Sequence, residues 1–209
     1  MFLVLEGVEG SGKSTQARLL GDWLAEHGVP HVLTREPGGT AIGEEIRQIL
    51  LHGHDMPAET ELLLFNASRA VFITEVVRPA LDAGKVVVAD RFYHSSLAYQ
   101  AYGRGLPLER AREVCEFAVA GVQPDLTIIL DVPTAVGEGR RATRGQPDRI
   151  ERAGMEFHDR VAEAYRLLPG MMPDVELISG EGAIDDVRAR IMSLLSQRFP
   201  ETFTEAGVR

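Results

Sequence analysis

One short segment constrains this chain more than any other. Gly7-Val8-Glu9-Gly10-Ser11-Gly12-Lys13-Ser14-Thr15 follows the apolar run Phe2-Leu3-Val4-Leu5 and precedes Leu20, Trp23 and Leu24 at helical spacing. A strand, a G-x-x-x-x-G-K-[ST] loop and a helix, in that order, are the sequence form of a phosphate-binding loop. The glycines let the backbone wrap closely enough for successive N–H groups to face one hollow, and the helix N-terminus adds partial positive charge. Lys13 is placed to reach outer phosphates, and the Ser14 hydroxyl to bind Mg²⁺. Residues 7–15 are therefore the candidate site for a nucleoside triphosphate with Mg²⁺, although the loop alone does not say which reaction follows.

The rest of the chain repeats the alternation of strand and helix. His31-Val32-Leu33-Thr34, Val86-Val87-Val88-Ala89, Leu126-Thr127-Ile128-Ile129-Leu130 and Val175-Glu176-Leu177-Ile178 read as further strands. Between them lie stretches of helical period, the longest from about Glu59 to Leu81, with Gly28 and Gly84 as stops after two of them. Continuous apolar strands are those covered on both faces. The expected fold is thus α/β: a doubly wound, five-stranded parallel sheet of the P-loop NTPase type, flanked by helices. Ligands of such sheets bind beyond the carboxyl ends of the strands, which directs attention to the residues just after 5, 34, 89 and 130.

Composition narrows the function. A length of 209 residues suits one domain over 1–209, with a tail from about 199 to 209. Lys+Arg is 22 and Asp+Glu is 31, giving a net charge of −9, which disfavours general binding to nucleic acid or to an acidic membrane. No apolar run approaches the length of a membrane span. Only Lys13 and Lys85 are lysines, so a lysine at a motif position carries extra weight. The single cysteine, Cys115, allows no internal disulfide and shares an apolar helical side with Ala111, Val114 and Ala118. A cytoplasmic setting is the expectation.

Several residues suggest a second, anionic substrate. An Asp at a strand end commonly completes a Mg²⁺ site, and both Asp90 and Asp131 qualify; Asp90 is followed at once by Arg91, a cation suited to a second phosphate. Thr34-Arg35-Glu36-Pro37-Gly38-Gly39-Thr40 reads as a turn ending in a helix cap. Arg47 lies off the stripe of Ile42, Ile46, Ile49 and Leu50, with Gly43 one turn before it leaving that face open, so Arg47 can reach across the cleft or remain solvated. Phe65 and Arg69 fall at i and i+4, a spacing that suits stacking on a base and bonding to its edge, or a core ring beside a surface cation. From about 140 to 153 the chain carries Arg140, Arg141, Arg144, Arg149 and Arg152 with Gly145 and Pro147. That composition fits a basic lid over a transferring phosphoryl group, or a solvated loop.

Taken in order, these pieces resemble the thymidylate kinases. The resemblance runs through about residues 3 to 196. It rests on Glu6 to Thr15, Thr34 to Thr40, Leu64-Phe65-Asn66-Ala67-Ser68-Arg69, Asp90-Arg91-Phe92, Ser95-Ser96-Leu97-Ala98-Tyr99-Gln100, Pro124-Asp125-Leu126-Thr127, and Arg144-Gly145 through Asp148-Arg149-Ile150-Glu151. It implies ATP-dependent phosphorylation of dTMP by a homodimer. It further implies that Phe65 stacks on thymine, that Arg69 bonds its O4 side, and that Gln100 bonds its N3 side with Ser96 nearby. Arg47 and Arg91 would hold the dTMP phosphate, Tyr99 would sit against the deoxyribose, and Glu36 and Asp90 would act around the metal and the acceptor phosphate. Glu9 in the phosphate loop points to the type with catalytic arginines in the lid, Arg144 and Arg149, beside Lys13 and Arg91. The rival readings are a P-loop kinase for another nucleotide or nucleoside, and a nucleotide-switch or partitioning ATPase.

Overall fold

The computed structural model describes residues 1–142 and 146–204. Five strands, β1 (Phe2–Glu6), β2 (His31–Arg35), β3 (Val86–Asp90), β4 (Leu126–Asp131) and β5 (Val175–Ser179), form one parallel sheet in the order β2-β3-β1-β4-β5. β1 is central, paired with β3 on one side and β4 on the other. The central strands β1, β3 and β4 are buried along their lengths, as their unbroken apolar runs predict. The edge strands β2 and β5 are partly exposed, because each has a neighbour on one side only.

Two apolar layers cover the sheet. On one face, α1 (Lys13–Glu26) and α9 (Ile184–Arg198) bury Leu20, Leu24, Val187, Ile191 and Leu195 against Leu3, Leu5, Ile128 and Leu130. The short α10 (Pro200–Phe203) brings buried Phe203 onto the Trp23 ring at 5.4 Å, so the start of the expected tail is docked. The opposite face carries the larger layer. It is built from α2 (Ala41–His52), α3 (Ala58–Phe72), α6 (Leu108–Val119) and α8 (Met155–Leu167), together with the short α4 (Arg78–Asp82) and α5 (Tyr93–Ser96). Cys115 is buried there, as its apolar helical side predicts.

The long helical stretch from Glu59 is real but not uniformly wound. α3 passes through a π turn, Ile73–Val77, into α4. A second π turn, Leu97–Gly103, extends α5. π turns inside helices often mark functional places, and the second carries Tyr99 and Gln100. The face of α2 also departs from expectation. Gly43 does not open a path for Arg47. It is buried, and a Cβ there would lie 2.7 Å from Thr40 Oγ1 and 2.9 Å from Gly38 O, so glycine is needed for the turn to close on the helix. Thr40 caps α2 by accepting from Gly43 N at 3.0 Å. α7 (Thr134–Ala142) leads into the expected lid, whose Arg144 lies outside the described residues.

Candidate active site

The phosphate loop leaves β1 at the centre of the sheet and turns into α1. Its conformation requires glycine most plainly at Gly10. The φ there is 75°, and a Cβ would lie 2.2 Å from the carbonyl oxygen of Gly137 on α7. The loop is a wall between two hollows. A groove on one side is lined by Gly10, Ser11, Gly12, Thr15, Gln16 and Arg140. A cavity of about 220 Å³ on the other side shares Gly10 and Gly12 and adds the side chains of Glu9, Lys13 and Ser14. Lys13 is buried, and its Nζ donates to Val8 O at 2.8 Å. Burial and the neighbouring Arg91 bring its ammonium down to about 8, so it stays positive at neutral pH.

Asp90 ends β3 beside this loop and accepts a hydrogen bond from the Ser14 hydroxyl. A hydroxyl and a carboxylate in contact next to a phosphate loop fit Mg²⁺, a hard cation that keeps several waters and phosphate oxygens of its own. Asp131, the other strand-end aspartate, is instead paired with Arg166 at 3.0 Å.

Arg91 is the most heavily engaged cation here. Its backbone adopts φ 78°, a region that non-glycine residues rarely occupy and that tends to mark functional sites. Nη1 donates to Gly7 O at 3.1 Å, Ser95 Oγ at 3.0 Å and Tyr165 OH at 3.1 Å, while Nη2 donates to Tyr99 OH at 3.2 Å and pairs with Glu9. Beneath it lies Glu6, wholly buried at the end of β1, whose carboxylate accepts from Phe92 N, Ser95 N, Ser95 Oγ and Tyr165 OH. Sequence reading missed Glu6, Ser95 and Tyr165 as site residues. Glu6 had one visible signal, a charge ending an otherwise apolar strand.

The cavity is also lined by Phe65, Glu36, Ser96, Tyr99 and Gln100, and by half-buried Arg47, which donates to Pro37 O at 2.9 Å. Of the i, i+4 pair, Phe65 lies on the cavity. Arg69 is different: it is 1% exposed and sits behind the wall rather than on it. Its guanidinium is taken up by Glu36 Oε2 at 2.8 Å, Asn66 Oδ1 at 2.7 Å, Ser96 Oγ at 3.1 Å and Phe92 O at 3.3 Å. Arg149 likewise faces away from the cavity lining. It is buried, pairs with Glu61 at 2.6 Å, and donates from Nε to Leu50 O at 2.8 Å, which fastens the 147–151 segment onto α2 and α3.

Glu36 has one oxygen committed to Arg69, while the other, Oε1, is buried without a hydrogen bond. Burial lifts its carboxyl from the ordinary 4.5 to about 7, against the pull of Arg69. The folded chain therefore holds this proton more tightly than the unfolded chain. The resulting stability is complete below about 4.5 and is lost as pH rises through about 7. That loss amounts to about 3 kcal/mol. Melting curves from about pH 5 to pH 8 should show the wild type losing stability relative to Glu36→Gln; parallel profiles for the two proteins would show that Glu36 does not titrate in that window.

The chain is similar to known proteins over nearly its whole length. The thymidylate kinase family profile matches residues 5–191. A thymidylate kinase of a Synechococcus strain is 46% identical over 201 residues, covering 96% of each chain. That of Symbiobacterium thermophilum is 44% identical over 212 residues, covering 100% of this chain and 99% of its own. Among solved structures, the thymidylate kinase of Ehrlichia chaffeensis superposes with a TM-score of 0.76 at 30% identity, covering 93% of this chain and 98% of that one.

Proposed function

The chain belongs to the thymidylate kinase family and is a nucleoside monophosphate kinase that phosphorylates dTMP with ATP, and from that premise we propose how its two hollows divide the work. The groove at Thr15, Gln16 and Arg140 takes ATP, and the cavity between Phe65 and Arg91 takes dTMP. The single observation that carries this reading is the shared phosphate loop: Gly10 and Gly12 line both hollows, so a γ-phosphoryl group on the loop is next to both nucleotides. Family membership sets the switch or partitioning ATPase aside.

Within the cavity, Phe65 stacks on the thymine ring, Ser96 and Gln100 meet the base edge, and Tyr99 lies against the deoxyribose. Arg69, held behind Glu36 and Ser96, orients that wall without reaching the base. Arg91 and Arg47 hold the acceptor phosphate, and Lys13 meets the outer phosphates of ATP. Mg²⁺ would be held on the protein side by Ser14 and Asp90 and would offset phosphate charge. With two nucleotides ordered in line, catalysis is largely positioning and electrostatic stabilisation. Arg144 is the lid arginine left for the transferring group, since Arg149 is engaged by Glu61. The test is calorimetric titration of dTMP without ATP, with ADP release then assayed across nucleoside monophosphates. Saturable dTMP binding and a rate preference for dTMP are expected; absence of a dTMP site without ATP would remove the cavity assignment.

The active unit is proposed to be a homodimer. The helical stretch from Glu59 to Leu81 carries more apolar residues than one narrow stripe needs; Val77 is core, whereas Leu63 is 58% exposed. Leu63, Ala67 and Ala70 share one side of α3, and on the packed neighbour α6 Phe117 is 90% exposed. Together they supply an apolar face for a second copy. Sedimentation should give about twice the 22.9 kDa of one chain, and Leu63→Glu should return it to the single-chain mass. A wild-type protein sedimenting as one chain at micromolar concentration would sink the dimer. No helix among the described residues is long and apolar enough to cross a membrane.

A further inference from the structure

Glu61 lies outside the cavity lining, yet it is wholly buried and touches the residue facing the N3 side of the base. Its Oε1 accepts from Gln100 Nε2 at 2.8 Å and from Arg104 Nε at 3.2 Å. Its Oε2 accepts from Arg104 Nη2 at 3.1 Å and pairs with Arg149 Nη1 at 2.6 Å. Burial alone would raise this carboxyl, but the bonds from Arg104, Gln100 and Arg149 outweigh it and hold the group below the usual carboxylate range. An ionised carboxylate has no proton to give and can only accept. The end of the Gln100 amide that faces it must therefore be the NH₂ group. An amide whose orientation is otherwise ambiguous is thereby fixed, and its carbonyl oxygen Oε1 is turned from Glu61 toward the cavity that Gln100 lines.

We propose that Glu61 is a specificity-determining positioning residue, which locks the Gln100 amide so that it offers the base an acceptor and not a donor. Thymine carries an N–H at N3, which donates to that oxygen. Cytosine has a bare ring nitrogen there, whose lone pair meets the oxygen's own. A site built to bond one partner rejects the analogue that cannot make the bond, because the buried group is left unpaired. Arg149, from the segment leading out of the lid, holds the same carboxylate, so anchoring of that segment and the polarity of base reading share one anion. The inference rests on the placement of dTMP in this cavity.

Kinetics with dTMP, dUMP and dCMP test both. In Glu61→Gln the residue facing Gln100 can donate as well as accept, and the Gln100 amide is free to turn. The ratio of kcat/KM for dTMP over dCMP should fall at least about tenfold. The ratio for dTMP over dUMP should not change, since both bases carry N3–H. Arg104→Met should leave both ratios as in wild type, because Arg149 still keeps Glu61 ionised. A dTMP-to-dCMP ratio unchanged in Glu61→Gln overturns the proposal, as does an equal fall in Arg104→Met. If Glu61→Gln does not fold, the wild type labelled with ¹⁵N-glutamine decides. The Gln100 side-chain pair, assigned by its loss in Gln100→Met, should stay protected from exchange when dTMP saturates the site; loss of protection overturns the lock. An unchanged dTMP kcat/KM in Gln100→Met overturns the placement of the base, and the inference falls with it.

Discussion

Lys13→Ala should reduce turnover by at least about a hundredfold while the protein stays folded. Lys13 is one of only two lysines in the chain, and it is buried at the first position of α1 with its Nζ bonded to Val8 O at 2.8 Å and Ser11 Oγ at 3.4 Å. Those bonds bind the ammonium to the loop that turns around the phosphates, so its charge is fixed in place before the reaction begins. A fixed charge in a water-poor site needs no reorganisation as negative charge shifts during transfer, which is why removing one such donor costs several kcal/mol. The substitution should not endanger folding. An alanine fits a helix start, and the deletion removes a cation whose lowered affinity for its proton shows that burial already disfavours it. Steady-state rates and a melting curve on the same sample check both halves. A folded variant that keeps more than about a tenth of wild-type turnover would take Lys13 out of the reaction.

The fold and the loop were legible in the sequence because their constraints are local. Each central strand is an unbroken apolar run, each helix has its own period, and the phosphate loop is a contiguous pattern. Phe65 was legible as a candidate through its spacing, and Asp90 through its place at a strand end. What was not legible depends on partners far along the chain. Arg69 looked like a residue that reaches a ligand, but Glu36, 33 positions away, draws it behind the cavity wall. Arg149 belongs to a basic run that reads as lid, and Glu61 and Leu50 O pull it into the interior. Glu61 itself could not be singled out, since nothing local announces that Gln100, 39 positions on, ends against it. Tyr165 falls at helical spacing with the apolar Phe157, Val161 and Leu168, which predicts core. It is core, but its hydroxyl reaches past that stripe to Glu6 and Arg91.

Arg91→Ala should lower kcat/KM for dTMP by about a thousandfold, with losses in both kcat and KM. Two effects add. The substitution removes the cation proposed to hold the acceptor phosphate in ground and transition state alike. It also leaves Glu6, wholly buried and 3.7 Å from Nη1, without its counter-charge, and breaking one side of such a pair costs about 3–5 kcal/mol. Backbone strain is not the cause, because alanine keeps a Cβ at the same φ of 78°. Arg91→Lys should rescue little. A single ammonium cannot span Gly7 O, Tyr99 OH and the carboxylates of Glu6 and Glu9 as the planar guanidinium does. The lid variant Arg144→Ala should behave differently, with kcat falling and KM for dTMP nearly constant, because a lid charge meets its full partner only as the phosphoryl group passes between the nucleotides. Rates measured over a dTMP range on these variants separate the roles. An unchanged KM in Arg91→Ala would remove it from the acceptor phosphate. Near wild-type turnover in Arg144→Ala would leave the transition-state charge to Lys13, Arg91 and the metal, with the lid serving only to exclude water.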